Sequence, residues 1–168
     1  MQEDEPMPVT AVALIAAAAL HALTCLLLTT SLPQYVPVVF DASLEPAVAG
    51  TRMLATTLAL GYGVVVAAAT AVVAARTRVA VRADRLRHLG AVTVLFLTFE
   101  VAAVYGPLGG AEAASWTGAD AASYPSASIA VEGFQASGGQ LPTAALVVAA
   151  VYLAYLVTWA VVVRRTRR

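Results

Sequence analysis

Four long apolar runs, separated by shorter polar or glycine- and proline-rich stretches, dominate the pattern of this chain. A helix that crosses a hydrocarbon core of about 30 Å needs roughly 20 apolar residues. Four runs meet that length, at about 9–30, 48–75, 89–108 and 141–163. Because lipid offers no hydrogen-bond partners, backbone groups there must pair within their own segment, which favours helices. The pattern predicts an all-α membrane protein, an antiparallel bundle of four transmembrane helices.

Composition strengthens this prediction and removes other classes of protein. The 168 residues are 60% hydrophobic and 12% charged, whereas a soluble domain carries roughly a quarter charged residues. This balance argues against a soluble enzyme or a disordered chain. The single cysteine, Cys25, excludes an intramolecular disulfide and a cysteine-based metal cluster. We interpret residues 1–168 as one polytopic membrane domain with an extended outer loop at 109–140.

The arginines predict how the chain is oriented. Lysine is absent, and nine of the ten basic residues lie either between the second and third runs or after the fourth run. Because basic residues are concentrated in cytoplasmic segments, we expect a cell-membrane protein with both termini in the cytoplasm. The loops 31–47 and 109–140, which contain no basic residue, are then outside. Arg52 alone lies near the opposite face.

The basic segment between the second and third runs is a candidate surface for anionic lipids. Clusters of four to eight basic residues beside a span commonly contact anionic head groups. The same arginines are also needed simply to fix the orientation. Nucleic acid is not an expected partner, because no aromatic residues are interleaved with the charges. The candidate lipid contacts are Arg76, Arg78, Arg82, Arg85 and Arg87.

Polar residues deep in the apolar runs form the candidate functional site. Glu100 and His21 lie eleven and twelve residues above the inner ends of their runs, or about 16 and 18 Å at the helical rise. Counting along the neighbouring runs brings Tyr62 and Tyr152 to a similar depth, and Arg52 could reach inward from the outer end. Charged groups at such depth are costly and normally face the protein interior. The candidate intramembrane polar site is His21, Arg52, Tyr62, Glu100 and Tyr152.

Two roles for Glu100 follow from this placement. Desolvation favours the neutral acid, which could donate a hydrogen bond to His21, a tyrosine or a partner protein and so act as structural glue. Alternatively, Glu100 and His21 could exchange a proton in a relay or transport path. We also expect Gly61 and Gly63 to permit a close helix contact.

These observations favour a small multi-pass membrane protein without catalytic activity, an accessory, structural or partner-binding subunit or a homo-oligomer. A small transporter, channel or proton-relay protein using Glu100 and His21 is the alternative, and a membrane subunit of a redox complex is a further one. We expect no cofactor and no metal: His88 lies roughly 18 Å from the depth of His21, too far for both to ligate one haem. No catalytic motif is present.

Overall fold

A computed structural model describes residues 7–109, 126–136 and 140–165 of the chain. Most of these residues are helical, and four helices are long and apolar enough to cross a membrane. They are α1 (Val9–Ser31), α2 (Arg52–Arg76), α3 (Ala80–Tyr105) and α5 (Thr143–Arg165). At 1.5 Å per residue each exceeds about 34 Å in length. The prediction of four apolar helices of spanning length is confirmed.

A β-hairpin, which we did not predict, precedes α2. Strands β1 (Tyr35–Phe40) and β2 (Pro46–Thr51) pair antiparallel. The turn between them is held by the carboxylate of Asp41, which accepts hydrogen bonds from the backbone of Ser43 and Glu45. The second apolar run therefore divides into a strand and a helix, and α2 begins at Arg52 and not at residue 48. At this start the Thr51 hydroxyl accepts a hydrogen bond from the Leu54 amide. Such an N-cap bond satisfies one of the free amides at a helix start.

Two further boundaries differ from the predicted ones. Helix α3 begins at Ala80, nine residues before the predicted start, because the basic segment is itself helical after a turn of only three residues. A short 3₁₀ turn (Gly106–Gly109) leads into the predicted outer loop 109–140. The loop itself contains a helix, α4 (Ala127–Ala136). The remaining parts of that loop, 110–125 and 137–139, lie outside the described residues.

Helix α3 makes most of the contacts between the long helices. Helices α1, α2 and α3 all contact one another, and α5 packs on α3. The buried side of α1 runs along one helical stripe, through Leu14, Ala17, His21 and Cys25, at the spacing that keeps residues on one face. One apolar cluster joins Leu14 and Ala17 to α3, and another forms where α1 ends. His21 lies between the two clusters on this stripe.

Opposite ends of the long helices differ in character. At the hairpin end, so named for the β1–β2 hairpin, α4 packs on β2 with Phe134 fully buried. Two hydrogen bonds tie this region together, from Gln135 to the carbonyl of Pro46 (2.9 Å) and from Tyr105 to that of Pro37 (3.1 Å). At the arginine end, which carries the α2–α3 turn, the Thr10 hydroxyl donates to Asp84 (2.8 Å).

Candidate functional site

His21 is the most enclosed polar side chain at the centre of the structure, with 1% of its surface exposed. It projects from α1 between α2 and α3. Its Nε2 lies 2.9 Å from the carbonyl oxygen of Ala59 on α2, and its Nδ1 lies 3.1 Å from the Thr98 hydroxyl on α3. The Cys25 sulfur is 3.7 Å from Nε2. One imidazole therefore bridges three helices.

Hydrogen-bond chemistry fixes the proton on one ring nitrogen of His21. A carbonyl oxygen can only accept, so Nε2 must carry a proton and donate it to Ala59. The Thr98 hydroxyl has one hydrogen and two acceptors within reach, the Val94 carbonyl at 2.8 Å and Nδ1 of His21 at 3.1 Å. A neutral imidazole receives this hydrogen at Nδ1, while a protonated one donates to Thr98 and leaves the hydroxyl to Val94. Both forms keep every ring nitrogen bonded.

The close approach of His21 to α2 depends on Gly63. A Cβ atom at this position would overlap the imidazole ring, lying 2.5 Å from its Nε2 and 2.9 Å from its Cγ. At Gly61 an added Cβ would meet nothing within 4 Å. Of the two glycines that we expected to permit a close helix contact, Gly63 makes it, and Gly61 is open on the side where its Cβ would lie.

Glu100 is not joined to His21. It follows Thr98 by two residues on α3, a rotation of about 200° around the helix axis, so Thr98 faces α1 while Glu100 does not. Its Oε2 atom is buried and has no hydrogen-bond partner among the described residues. Glu100 borders two cavities: one of about 170 Å³ beside Thr93, Tyr152 and Val148, and another of about 440 Å³ beside Phe40 of β1.

The remaining members of the predicted site lie apart from His21. The Arg52 guanidinium donates to the carbonyl of Leu32 (3.1 Å), which follows the end of α1. Tyr62 is 68% exposed on α2 but borders the larger cavity with Glu100. The Tyr152 hydroxyl lies 2.9 Å from that of Thr93. Thus Glu100 shares one cavity with Tyr62 and another with Tyr152, while Arg52 bonds the backbone just after the end of α1.

Aromatic rings join α5 to α3. Tyr152 and Tyr155 both lie against Phe96, with ring centroids 4.9 and 6.3 Å apart. Nearer the arginine end, Trp159 stacks on His88 at 5.2 Å. Such pairs add to the burial of the rings themselves. This contact places the carboxyl-terminal part of α5 beside the start of α3.

The candidate lipid-binding arginines do not share one environment. Arg87 pairs with Asp84 on its own helix (3.0 Å). Arg82 and Arg85 instead border a cavity of about 490 Å³ together with Trp159. The remaining two members of the candidate set, Arg76 and Arg78, are exposed and do not border it.

Sequence reasoning did not identify Thr98 or the Ala59 carbonyl as the partners of His21. For Thr98 a signal exists: Ala91, Val94 and Thr98 have helical spacing and are small enough to meet another helix. For Ala59 no side-chain signal exists, because the acceptor is a backbone atom. The three residues form a buried stripe on α3.

Comparisons with protein-family models, curated proteins and solved structures find no match. Within residues 7–109, 126–136 and 140–165, no group of three or more histidine, cysteine, aspartate or glutamate side chains is placed to hold a metal ion.

Proposed function

We propose that the chain is a multi-pass cell-membrane protein that acts as a non-catalytic, partner-binding subunit through Glu100. Its four apolar helices would form an antiparallel bundle, with the arginine end and both termini in the cytoplasm. The hairpin end, with α4, would lie outside. The arginine distribution supports this orientation, as does the hydrogen bond that ties the start of α1 to Asp84.

The observation that carries the partner-binding role is the unpaired Oε2 atom of Glu100. In an apolar medium an unpaired polar group costs about 2–7 kcal/mol. Three of the residues predicted to share a site with Glu100 have other partners: His21 bonds Thr98 and Ala59, Arg52 bonds Leu32, and Tyr152 bonds Thr93. A hydrogen-bond partner from a second protein would remove this cost, and the clefts on either side of Glu100 provide access.

Helix α5 supports the same role. It packs on α3 chiefly by aromatic contacts, and none of its most apolar 18-residue window is buried. Because α5 is so lightly covered, the groove between α3 and α5 is accessible to a helix of another membrane protein. Glu100 faces into this groove. Interfaces between membrane helices gain from such interhelical hydrogen bonds and close packing.

The test compares two replacements of Glu100. Tagged protein is isolated in mild detergent from native membranes, and co-purifying components are quantified. Glu100→Gln keeps a neutral hydrogen-bonding group and should retain the partner, whereas Glu100→Leu should lose it. Phe99→Leu, an exposed neighbour on another side of α3, is the control and should behave as wild type. Isolation of the wild-type protein alone, or a partner equally retained by Glu100→Leu, would refute the proposal.

A proton-relay or transport role is the second candidate, favoured by the larger cavity. This cavity extends from β1 at the hairpin end to Glu100, so it could lead protons or small ions to the acid. A relay requires a group that releases its proton, and the amide of Glu100→Gln cannot do so. In proteoliposomes, this candidate predicts that both replacements abolish proton flux. Flux equal to that of empty liposomes for the wild type would reject it.

A further inference from the structure

The cavity at the arginine end combines positive charge with an apolar wall. Its volume is about 490 Å³, within the range of pockets that bind small molecules. It lies between the α2–α3 turn, the first turns of α3 and the last turns of α5. Its borders include Val81, Arg82, Arg85, Leu89, Trp159 and Val163.

The two arginines at this cavity have no acidic partner among the residues that the structure describes. They are three residues apart on α3 and so share a face. Asp84, the acidic side chain nearest in sequence, is engaged by Arg87 and Thr10. The other acids of the described residues are Glu100, within α3, and Asp41, Glu45 and Glu132, in the segments of the hairpin end. Two guanidinium groups therefore face the cavity with their charge uncompensated in the described part of the chain.

The apolar wall opposite is held in a fixed position. Trp159 stacks on His88 (5.2 Å) and lies near Tyr155 (6.1 Å), which restrains its ring. Leu89 and Trp159 border the cavity on the side nearer the middle of the apolar helices, whereas Val163 lies about one turn nearer the arginine end. Tryptophan is enriched where headgroups meet hydrocarbon. From the arginine end toward the middle of the helices the cavity lining changes from basic to apolar, just as a phospholipid changes from its charged headgroup to its acyl chains.

We propose that this cavity binds one anionic glycerophospholipid, with the phosphate between Arg82 and Arg85. The glycerol and upper acyl chain would then lie against Leu89 and Trp159. Guanidinium groups pair well with phosphate oxygens through parallel N–H donors. The lipid would come from the leaflet at the arginine end, which is the cytoplasmic one in the proposed orientation. Binding does not depend on the role of Glu100.

Trp159 reports on occupancy directly. The chain has two tryptophans, so Trp116→Phe leaves Trp159 as the single tryptophan, whose emission is excited selectively at wavelengths that tyrosine does not absorb. In bilayers containing a small fraction of brominated lipid, quenching measures how often that lipid lies against Trp159. We expect brominated phosphatidylglycerol to quench more strongly than the same fraction of brominated phosphatidylcholine. Equal quenching by the two lipids would overturn the proposal.

A matched pair of double variants separates a site from a charged surface. Arg82→Gln with Arg85→Gln should reduce the preference for phosphatidylglycerol by up to about 25-fold, since each basic residue near anionic lipid contributes a factor of about five. Arg76→Gln with Arg78→Gln removes the same charge from the same segment at positions that do not border the cavity, and should keep most of the preference. Equal losses in the two variants would show a general surface effect and overturn the site.

Two further measurements separate a bound lipid from failed insertion and from a soluble phosphate ligand. If the double glutamine variant does not insert, Arg85→Gln alone is used and should show a smaller loss, while no loss in the single variant would overturn the proposal. Inorganic phosphate and glycerol phosphate, added to both sides of the bilayer, should leave quenching by phosphatidylglycerol unchanged. Displacement by either one would assign the cavity to a soluble phosphate compound instead.

Discussion

Replacing Gly63 by alanine should destabilise the protein, although alanine is the better helix former. The added Cβ would lie 2.5 Å from Nε2 and 2.9 Å from Cγ of His21, far inside ordinary contact distance, so the imidazole must move. Overpacking of this kind costs about 1–3 kcal/mol. Movement of the ring also weakens its bonds to Ala59 and Thr98, each worth about 0.6 kcal/mol in a membrane protein.

Gly61→Ala is the control for this variant. It makes the same chemical change in the same helix two residues away, but its Cβ would meet nothing within 4 Å. The gain of about 1 kcal/mol from helix propensity is common to both variants and cancels in the comparison. We expect the free energy of unfolding of Gly63→Ala to be lower than that of Gly61→Ala by about 1–3 kcal/mol.

The assay is reversible unfolding in mixed micelles of mild detergent and dodecyl sulfate, followed by circular dichroism. A double-mutant cycle with His21→Ala sharpens it, because removing the ring removes the obstacle to the new methyl group. In the His21→Ala background, Gly63→Ala should carry no penalty relative to Gly61→Ala. Equal free energies for the two alanine variants in the wild-type background would refute the close packing of His21 on α2.

Three other predictions concern different contacts. Thr98→Val should lower the free energy of unfolding by about 0.6–1.7 kcal/mol, because it removes the hydroxyl that bonds His21. The control, Thr24→Val, loses only an exposed bond to Leu20 within α1 and should be near neutral. Equal effects of the two variants would contradict the interhelical bond. Tyr152→Phe keeps the ring on Phe96 but loses the bond to Thr93, so we expect its free energy of unfolding to fall by about 0.6 kcal/mol. Tyr62→Phe, at an exposed position, should unfold like the wild type, and the prediction fails if the two variants unfold alike. Phe134→Ala should release α4 from the hairpin, at a local cost of about 3–5 kcal/mol, and make residues 126–136 sensitive to protease. The control is Ile129→Ala, which changes a half-exposed residue on the same helix. If both variants resist protease equally, the prediction is wrong.

Hydropathy predicted the four long helices well because a helix long and apolar enough to cross a membrane appears in the sequence as an uninterrupted apolar run of about 20 residues. It did not predict the β1–β2 hairpin. The residues of β2 and the start of α2 are both apolar, so nothing in hydropathy separates the strand Pro46–Thr51 from the helix that follows. The boundary is set by a local hydrogen bond at Thr51 and by pairing with β1, which only the folded chain brings together.

The polar residues show a similar division. Counting residues gives the depth of a side chain along a helix, and it placed Tyr62, the neighbour of Gly63, near the level of His21. It does not give the direction in which each side chain points relative to its neighbours. Consequently it suggested Glu100 as a partner for His21, whereas the ring bonds Thr98, two residues earlier on α3. Depth was predictable here because helical rise is constant; direction depends on packing.

Cysteine accessibility tests the proposed membrane arrangement most directly. In a Cys25→Ser background, Ser43→Cys places a thiol in the exposed turn of the β-hairpin, and Arg78→Cys places one in the α2–α3 turn at the opposite end. A membrane-impermeant maleimide added to intact cells should label Ser43→Cys at once. It should label Arg78→Cys only after the membrane is permeabilised. Labelling of Arg78→Cys in intact cells, or protection of Ser43→Cys there, would contradict the arrangement.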